Sequence, residues 1–197
     1  MIRTFVAVEL GAPLRQALAQ AQAGLRSRLE KTAGPDVRIQ WVRPDSIHLT
    51  LKFLGDIPEN RVPEVHAALV GAAGRHARFT LAAEGLGVFP DARAPRVVWV
   101  GLVDHGGALQ RLAADVEAAL DAIGFAPEAK PFHPHLTLAR IKERSREAGR
   151  ALSAGGMLAH ETKPGPLPVE AVSLMKSELR PSGAVYTELH RVSLKEA

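Results

Sequence analysis

Apolar and polar residues alternate along this chain with two different periods. Over residues 2–10 Ile2, Phe5, Val6 and Val8 supply the apolar content of a strand, whereas over 13–31 Leu14, Leu18, Ala21, Leu25 and Leu29 recur at the three- and four-residue steps of an amphipathic helix. Gly34-Pro35-Asp36 breaks that helix, and 37–42 and 46–54 read as strands parted by Arg43-Pro44-Asp45. A helix striped by Val62, Val65, Leu69 and Ala73 follows, then two short strands at 79–83 and 86–89. From Pro95 the order begins again. A continuously apolar strand spans 96–103, Leu109, Leu112, Val116, Leu120 and Ile123 stripe a helix capped by Gly124, and 131–134 lead into another strand. The polar segment 143–154 predicts a fourth helix, the Gly- and Pro-rich stretch 155–168 a loop, and 169–179 and 185–194 two closing strands.

Read coarsely, with 37–42 and 46–54 taken together, both halves run strand, helix, strand, helix, strand, strand, and the third element of each carries His-Leu-Thr-Leu: His48 to Leu51 and His135 to Leu138. Side chains alternate across a strand, so Ile47, Leu49, Leu51 and Phe53 are expected on one face and His48, Thr50 and Lys52 on the other. The same parity turns Leu136 and Leu138 inward, sets His135 beside Thr137, and puts Arg140 on the opposite face unless the strand bends. Imidazole and hydroxyl then project together, about 7 Å apart along each strand. The copies lie 87 positions apart, which suggests a duplication with repeats of approximately 1–90 and 95–197. The expected fold is α+β: a single bilobal domain of two lobes related by a pseudo-two-fold axis, with largely antiparallel sheets, flanking helices and a central cleft toward which the His/Thr surfaces face.

Composition narrows the chemistry. The chain has 197 residues, 46% of them hydrophobic, enough for one substantial core, and contains no apolar run long enough to span a bilayer. Its start reads as a strand rather than a signal peptide, and a cytoplasmic location is expected. Cysteine is absent, so thiolate nucleophiles and thiolate metal sites are excluded. Lys and Arg exceed Asp and Glu by four, compatible with a phosphate-bearing partner, while aromatics make up only 5% of residues, too few for an extended base-stacking platform.

Two facing imidazoles with adjacent hydroxyls suit in-line displacement at phosphorus. One imidazole takes a proton from the attacking oxygen, the other gives one to the leaving oxygen, and Thr50 and Thr137 donate to the non-bridging oxygens. That scheme needs no metal and no other cofactor, and the chain carries no Gly-rich phosphate loop, zinc helix or carboxylate-rich magnesium site. His133 and His135 make a His-x-His pair but lack a third ligand nearby. His66 and His76, on a helix, are read as surface or packing residues. Lys52, Arg140 and Tyr186 are candidates for touching substrate, the last by stacking on a base; Arg43, Lys176 and Arg180 are vaguer ones.

The paired His-Leu-Thr-Leu, together with Gln40 to Pro44, Lys52 to Gly55, Phe132 to Arg140, Lys176 to Leu179 and Tyr186, resembles the two-histidine phosphoesterase superfamily over nearly the full chain. Within it the chain is most similar to the RNA 2′,3′-cyclic phosphodiesterases, also called 2′-5′ RNA ligases. The resemblance implies opening of a terminal 2′,3′-cyclic phosphate to a 2′-phosphomonoester without metal or ATP, and joining of RNA ends such as tRNA halves through a 2′-5′ bond. It further implies His48 as proton donor to the leaving 3′ oxygen, His135 as proton acceptor, and Thr50 and Thr137 as phosphate-orienting residues. A monomer is expected. Two other readings stay open: a cyclic phosphodiesterase acting on a small nucleotide or ADP-ribose cyclic phosphate, and a non-catalytic module that binds RNA ends.

Overall fold

The computed structural model describes residues 1–159, 161–180 and 183–196. The elements follow as β1 (Ile2–Glu9), α1 (Ala12–Thr32), β2 (Ile39–Trp41), β3 (His48–Ile57), α2 (Val62–Ala73), β4 (Phe79–Phe89), β5 (Val97–Val103), α3 (Ala108–Asp121), β6 (His135–Ile141), α4 (Ser145–Ala154), β7 (Gly165–Val169), β8 (Ala171–Arg180) and β9 (Gly183–Ser193). The fold is α+β with an antiparallel sheet, and no helix among the described residues is long and apolar enough to cross a membrane.

All nine strands join one sheet in the order β7-β4-β5-β6-β3-β1-β8-β9, with β2 added against β6. The two motif strands, β3 and β6, are neighbours at its centre, paired at Leu49 and Leu136. Three strands extend from each: β5, β4 and β7 from β6, and β1, β8 and β9 from β3. These arms are not the two halves of the chain, because β4 from the first half lies in the arm of the second motif and β8 and β9 return to the arm of the first. Hydrophobic cores follow the same exchange. Leu25 and Leu29 of α1 pack with Val98, Ala139 and α4 behind the second motif, while Leu112 and Val116 of α3 join Val65 and Leu69 of α2 in the larger core.

Three local features bear on the sequence expectation. The segment read as two strands at 79–83 and 86–89 is one strand, β4, whose register slips between Glu84 and Leu86 at Gly85, a left-handed residue (φ +75°) that lets the strand bulge and continue. Within the loop expected at 155–168, of which position 160 lies outside the described residues, residues 165–169 form β7. Its prolines 166 and 168 are tolerated because β7 is an edge strand bonded only to β4. Gly124 does terminate the third helix: at φ +91° it lets Phe125 N–H reach Leu120 C=O (3.0 Å), closing the last turn.

Candidate functional site

Each motif strand contains the same irregularity. Against β1, β3 pairs Thr50 with Ala7 and Lys52 with Val6, so Leu51 is an extra residue. Against β5, β6 pairs Thr137 with Trp99 and Ala139 with Val98, so Leu138 is extra. A bulge of one residue reverses the facing of everything beyond it. Up to each bulge the parity holds, with Leu49 and Leu136 buried and His48, Thr50, His135 and Thr137 together on one face. Past it, two expectations are overturned and one bend is found.

Lys52 is turned away from that face. It is 2% exposed, its ammonium bonded to the carboxylate of Glu117 on α3 and to the Ala126 carbonyl (2.8 Å), so it ties the helix layer to the sheet and does not line the cavity on the motif face. Phe53, expected inside, is 58% exposed and lines the motif face in its place. At the matching position of β6 the bend brings Arg140 onto the same face. A helix residue supports the second bulge from behind: Gln22 of α1, buried, donates to the carbonyls of Leu138 and Val42 (2.8 Å each), adding a second bond to the Leu138 carbonyl that already accepts Val42 N–H (2.9 Å).

His48, Thr50, His135 and Thr137 line one cavity of about 680 Å³. Phe5, Phe53, Phe89, Tyr186 and Arg140 line it with them, as do Arg3, Arg43, Lys142 and Arg180; no carboxylate lines the cavity among the described residues. Tyr186 and Arg140 are thus brought to the site as the sequence suggested, and Arg43 and Arg180 reach it as well. Lys176 does not line it and pairs with Glu178 (3.2 Å). His133 lies outside its lining, its ring 6.4 Å from that of His135. Among the described residues no group of three or more His, Cys, Asp or Glu side chains is arranged to hold a metal ion. His66 stacks on His190 (4.2 Å) and His76 bonds Asp115 (2.8 Å), both away from the cavity.

Both motif imidazoles are anchored alike. His48 Nδ1–H donates to the Ser46 carbonyl (2.9 Å) and His135 Nδ1–H to the His133 carbonyl (2.7 Å), in each case two residues upstream. A carbonyl only accepts, so Nδ1 keeps its hydrogen and Nε2 is the nitrogen left to gain or lose a proton. Rings of different kinds hold them. Phe5 stacks on His48 (4.7 Å) and Tyr186 meets it edge-on (5.0 Å), whereas Phe89 meets His135 edge-on (5.1 Å) and Trp99 lies 6.2 Å away. Burial lowers the His48 pKa to about 4, the charges of Arg140 and His135 adding to the effect and the Ser46 carbonyl opposing it. His135 is lowered by the same leading cause, with His133 and Arg140 contributing.

Sequence reasoning missed Phe53 and the aromatic surroundings of His135. Phe53 was concealed by the bulge. Trp99 sits in a strand too apolar to mark it as part of a site, and its indole lies over Gly87, where any Cβ would collide with the ring.

A cleft with two anchored imidazoles, two threonines and only cationic charge is the arrangement expected of a phosphoesterase, and comparison with known proteins agrees. A family model described as LigT like Phosphoesterase matches residues 8–99 and again residues 100–186. An Aeropyrum pernix protein named RNA 2′,3′-cyclic phosphodiesterase is 37% identical, over 86% of this chain and 93% of its own length. The crystal structure of TT0787 from Thermus thermophilus superposes with a TM-score of 0.76 at 32% identity, covering 99% of both chains. That of E. coli LigT complexed with 3′-AMP gives a TM-score of 0.71 at 28% identity, again covering 99% of both. With its two motif strands paired at the centre of the sheet and its sequence matched twice by one model, this chain belongs to the LigT-like phosphoesterase family.

Proposed function

We propose that the protein hydrolyses 2′,3′-cyclic phosphate ends of RNA to 2′-phosphomonoesters without a metal ion. The observation that carries this reading is the pair of imidazoles in one cavity, each with Nδ1 committed to a backbone carbonyl and Nε2 free, and each with a threonine two residues on. His135 Nε2 takes a proton from water as its oxygen bonds to phosphorus. His48 Nε2, protonated, gives its proton to O3′ as the P–O3′ bond breaks, leaving the phosphate on O2′. Thr50 and Thr137 donate to the non-bridging oxygens and Arg140 balances their charge. An RNA 5′-hydroxyl in place of water would run the synthetic direction and form a 2′-5′ bond, with tRNA-half-like ends as substrates.

With its pKa lowered to about 4, His48 is neutral at pH 7 and a poor acid until a substrate charge stands beside it. The phosphodiester anion supplies the missing charge: placed between the rings, it favours a proton on one of them and offsets the burial that removed it. Relatives named RNA 2′,3′-cyclic phosphodiesterase support the reaction, and the neighbour crystallised with 3′-AMP supports a nucleotide phosphate as ligand. Because the two motif strands are immediate neighbours in one sheet, the chain is read as a single functional unit grown by duplication, neither half holding a site alone.

Phosphorus NMR of an oligonucleotide ending in a 2′,3′-cyclic phosphate tests this directly. The expected product is a 2′-phosphomonoester formed at the same rate with excess chelator. A 3′-phosphate product, or turnover abolished by chelator, would refute the proposed chemistry.

A further inference from the structure

The cations around the cleft are not placed evenly. Arg3, Arg43, Arg140 and Lys142 all line it without an ion-pair partner among the described residues, whereas cationic side chains elsewhere, such as Arg26, Arg38 and Lys52, are paired with carboxylates about as often as not. A 2′,3′-cyclic mononucleotide carries one negative charge, which Arg140 and the two threonines can meet. Four unpaired cations fit a polyanion.

The two ends of the cleft differ. Beyond Arg3 it passes into a groove lined by Asp56, Glu59 and Glu178, and Arg180 is already held by Glu178 (3.4 Å). Beyond Arg140 the carboxylates near the end of β6 are each paired with a cation, Glu143 with Arg38 (2.9 Å) and Asp36 with Arg144 (3.5 Å). Arg140 and Lys142 flank buried Ile141 at the end of β6, so they project from the same face about 7 Å apart, comparable with the separation of consecutive phosphates along a strand. β2 runs antiparallel to β6, with Gln40 opposite Arg140 and Val42 N–H on the Leu138 carbonyl (2.9 Å), so Arg43 lines the cleft level with the second motif, on the other side of Arg140 from Lys142.

We propose that Arg43, Arg140 and Lys142, in that order outward along the paired β2 and β6, form a phosphate track, so that the RNA chain leaves the cleft along the β6–β2 side and not past Arg3 and Arg180. This rests on the reading that the cleft receives an RNA end, and it assigns the direction of the chain and the residues that hold its internucleotide phosphates.

The test measures kcat/KM for a 2′,3′-cyclic mononucleotide and for two- to five-residue oligonucleotides with the same end, and the Kd of a five-residue oligonucleotide ending in 2′-phosphate, across a salt series. Wild type should favour the longer ends. Lys142→Gln with Arg43→Gln should lose several-fold more on oligonucleotides than on the mononucleotide and flatten the slope of log Kd against log salt by about 0.7 for each phosphate no longer neutralised. Arg3→Gln with Arg180→Gln should keep the wild-type slope. Oligonucleotides treated no better than mononucleotides, or a slope that follows Arg3 and Arg180, would overturn the track. Failure of wild type to turn over any cyclic phosphate would instead sink the catalytic reading, and the salt slope of binding would still decide the track.

Discussion

The two half-sites share a backbone and differ in what surrounds it. In both, Nδ1 of the motif histidine is fixed by the carbonyl two residues upstream, threonine follows on the same face, and a leucine bulge comes next. Past the bulge the first strand turns Phe53 to the cleft and sends Lys52 to α3, while the second turns Arg140 to the cleft and buries Ala139. The first imidazole stacks on Phe5 and meets Tyr186 edge-on; the second stands among Arg140, His133, an edge-on Phe89 and a tilted Trp99. On the proposed reaction, the common frame supplies the proton chemistry on both sides of the phosphorus. The discrimination between a base and a charged chain is built into what differs: an exposed ring on one side offers stacking, a guanidinium on the other offers charge.

The severest way to break the comparison is to delete each imidazole. If the shared frame carries the chemistry, His48→Ala and His135→Ala lower kcat on a cyclic-phosphate oligonucleotide by about 10²–10⁴-fold each. Their different surroundings should make little difference to that loss. Thermal denaturation of both variants, checked alongside, should stay close to wild type because both rings are only half-buried. A variant retaining near-wild-type kcat would show that its half-site is not part of the acid/base pair.

What the sequence disclosed and what it hid divide at the bulges. Alternation located β3 and β6 and the facing of His48, Thr50, His135 and Thr137, since parity counts correctly over an unbroken ladder. It failed at Lys52 and Phe53 for one reason: a bulge is a property of the pairing between strands, and no residue of Leu-Thr-Leu announces that its partner strand skips a position. The first three helices were read from the spacing of their apolar residues, yet the placement of the end of α1 behind the second motif was not. That placement depends on which strands lie side by side, a contact between residues more than a hundred positions apart, as Gln22 and Leu138 illustrate. Prolines hid β7, because their exclusion from strands applies to paired positions and an edge strand has free ones.

A smaller perturbation can be aimed at the second half-site alone. Gly87 on β4 leaves the space that the Trp99 indole fills, and Trp99 packs on His133, whose carbonyl holds His135. Gly87→Ala would force the indole to move, at a cost of about 1–3 kcal/mol of stability by overpacking. Measured below the melting transition, kcat should fall while the His48 environment, reported by Phe5 and Tyr186, stays unchanged. An intact kcat in a destabilised variant would mean that the indole only fills space.

The mildest test concerns the protons themselves and sharpens the difference between the rings. Burial holds His48 near 4 and lowers His135 as well, so in the free protein the unfolded chain binds more protons than the folded one between about pH 6.5 and 4. Stability contributed by these groups is therefore present above pH 6.5 and lost as the pH falls through that window. NMR titration of the ring Cε1–H resonances should place the His48 midpoint well below the ordinary value, and Arg140→Gln, which removes one of the charges opposing protonation, should shift it upward slightly. Saturating inorganic phosphate should raise the midpoint further, because the anion occupies the position where the reacting phosphate would favour a proton. A His48 that titrates normally in the free protein, or ignores phosphate, would mean that substrate charge is not what loads the acid.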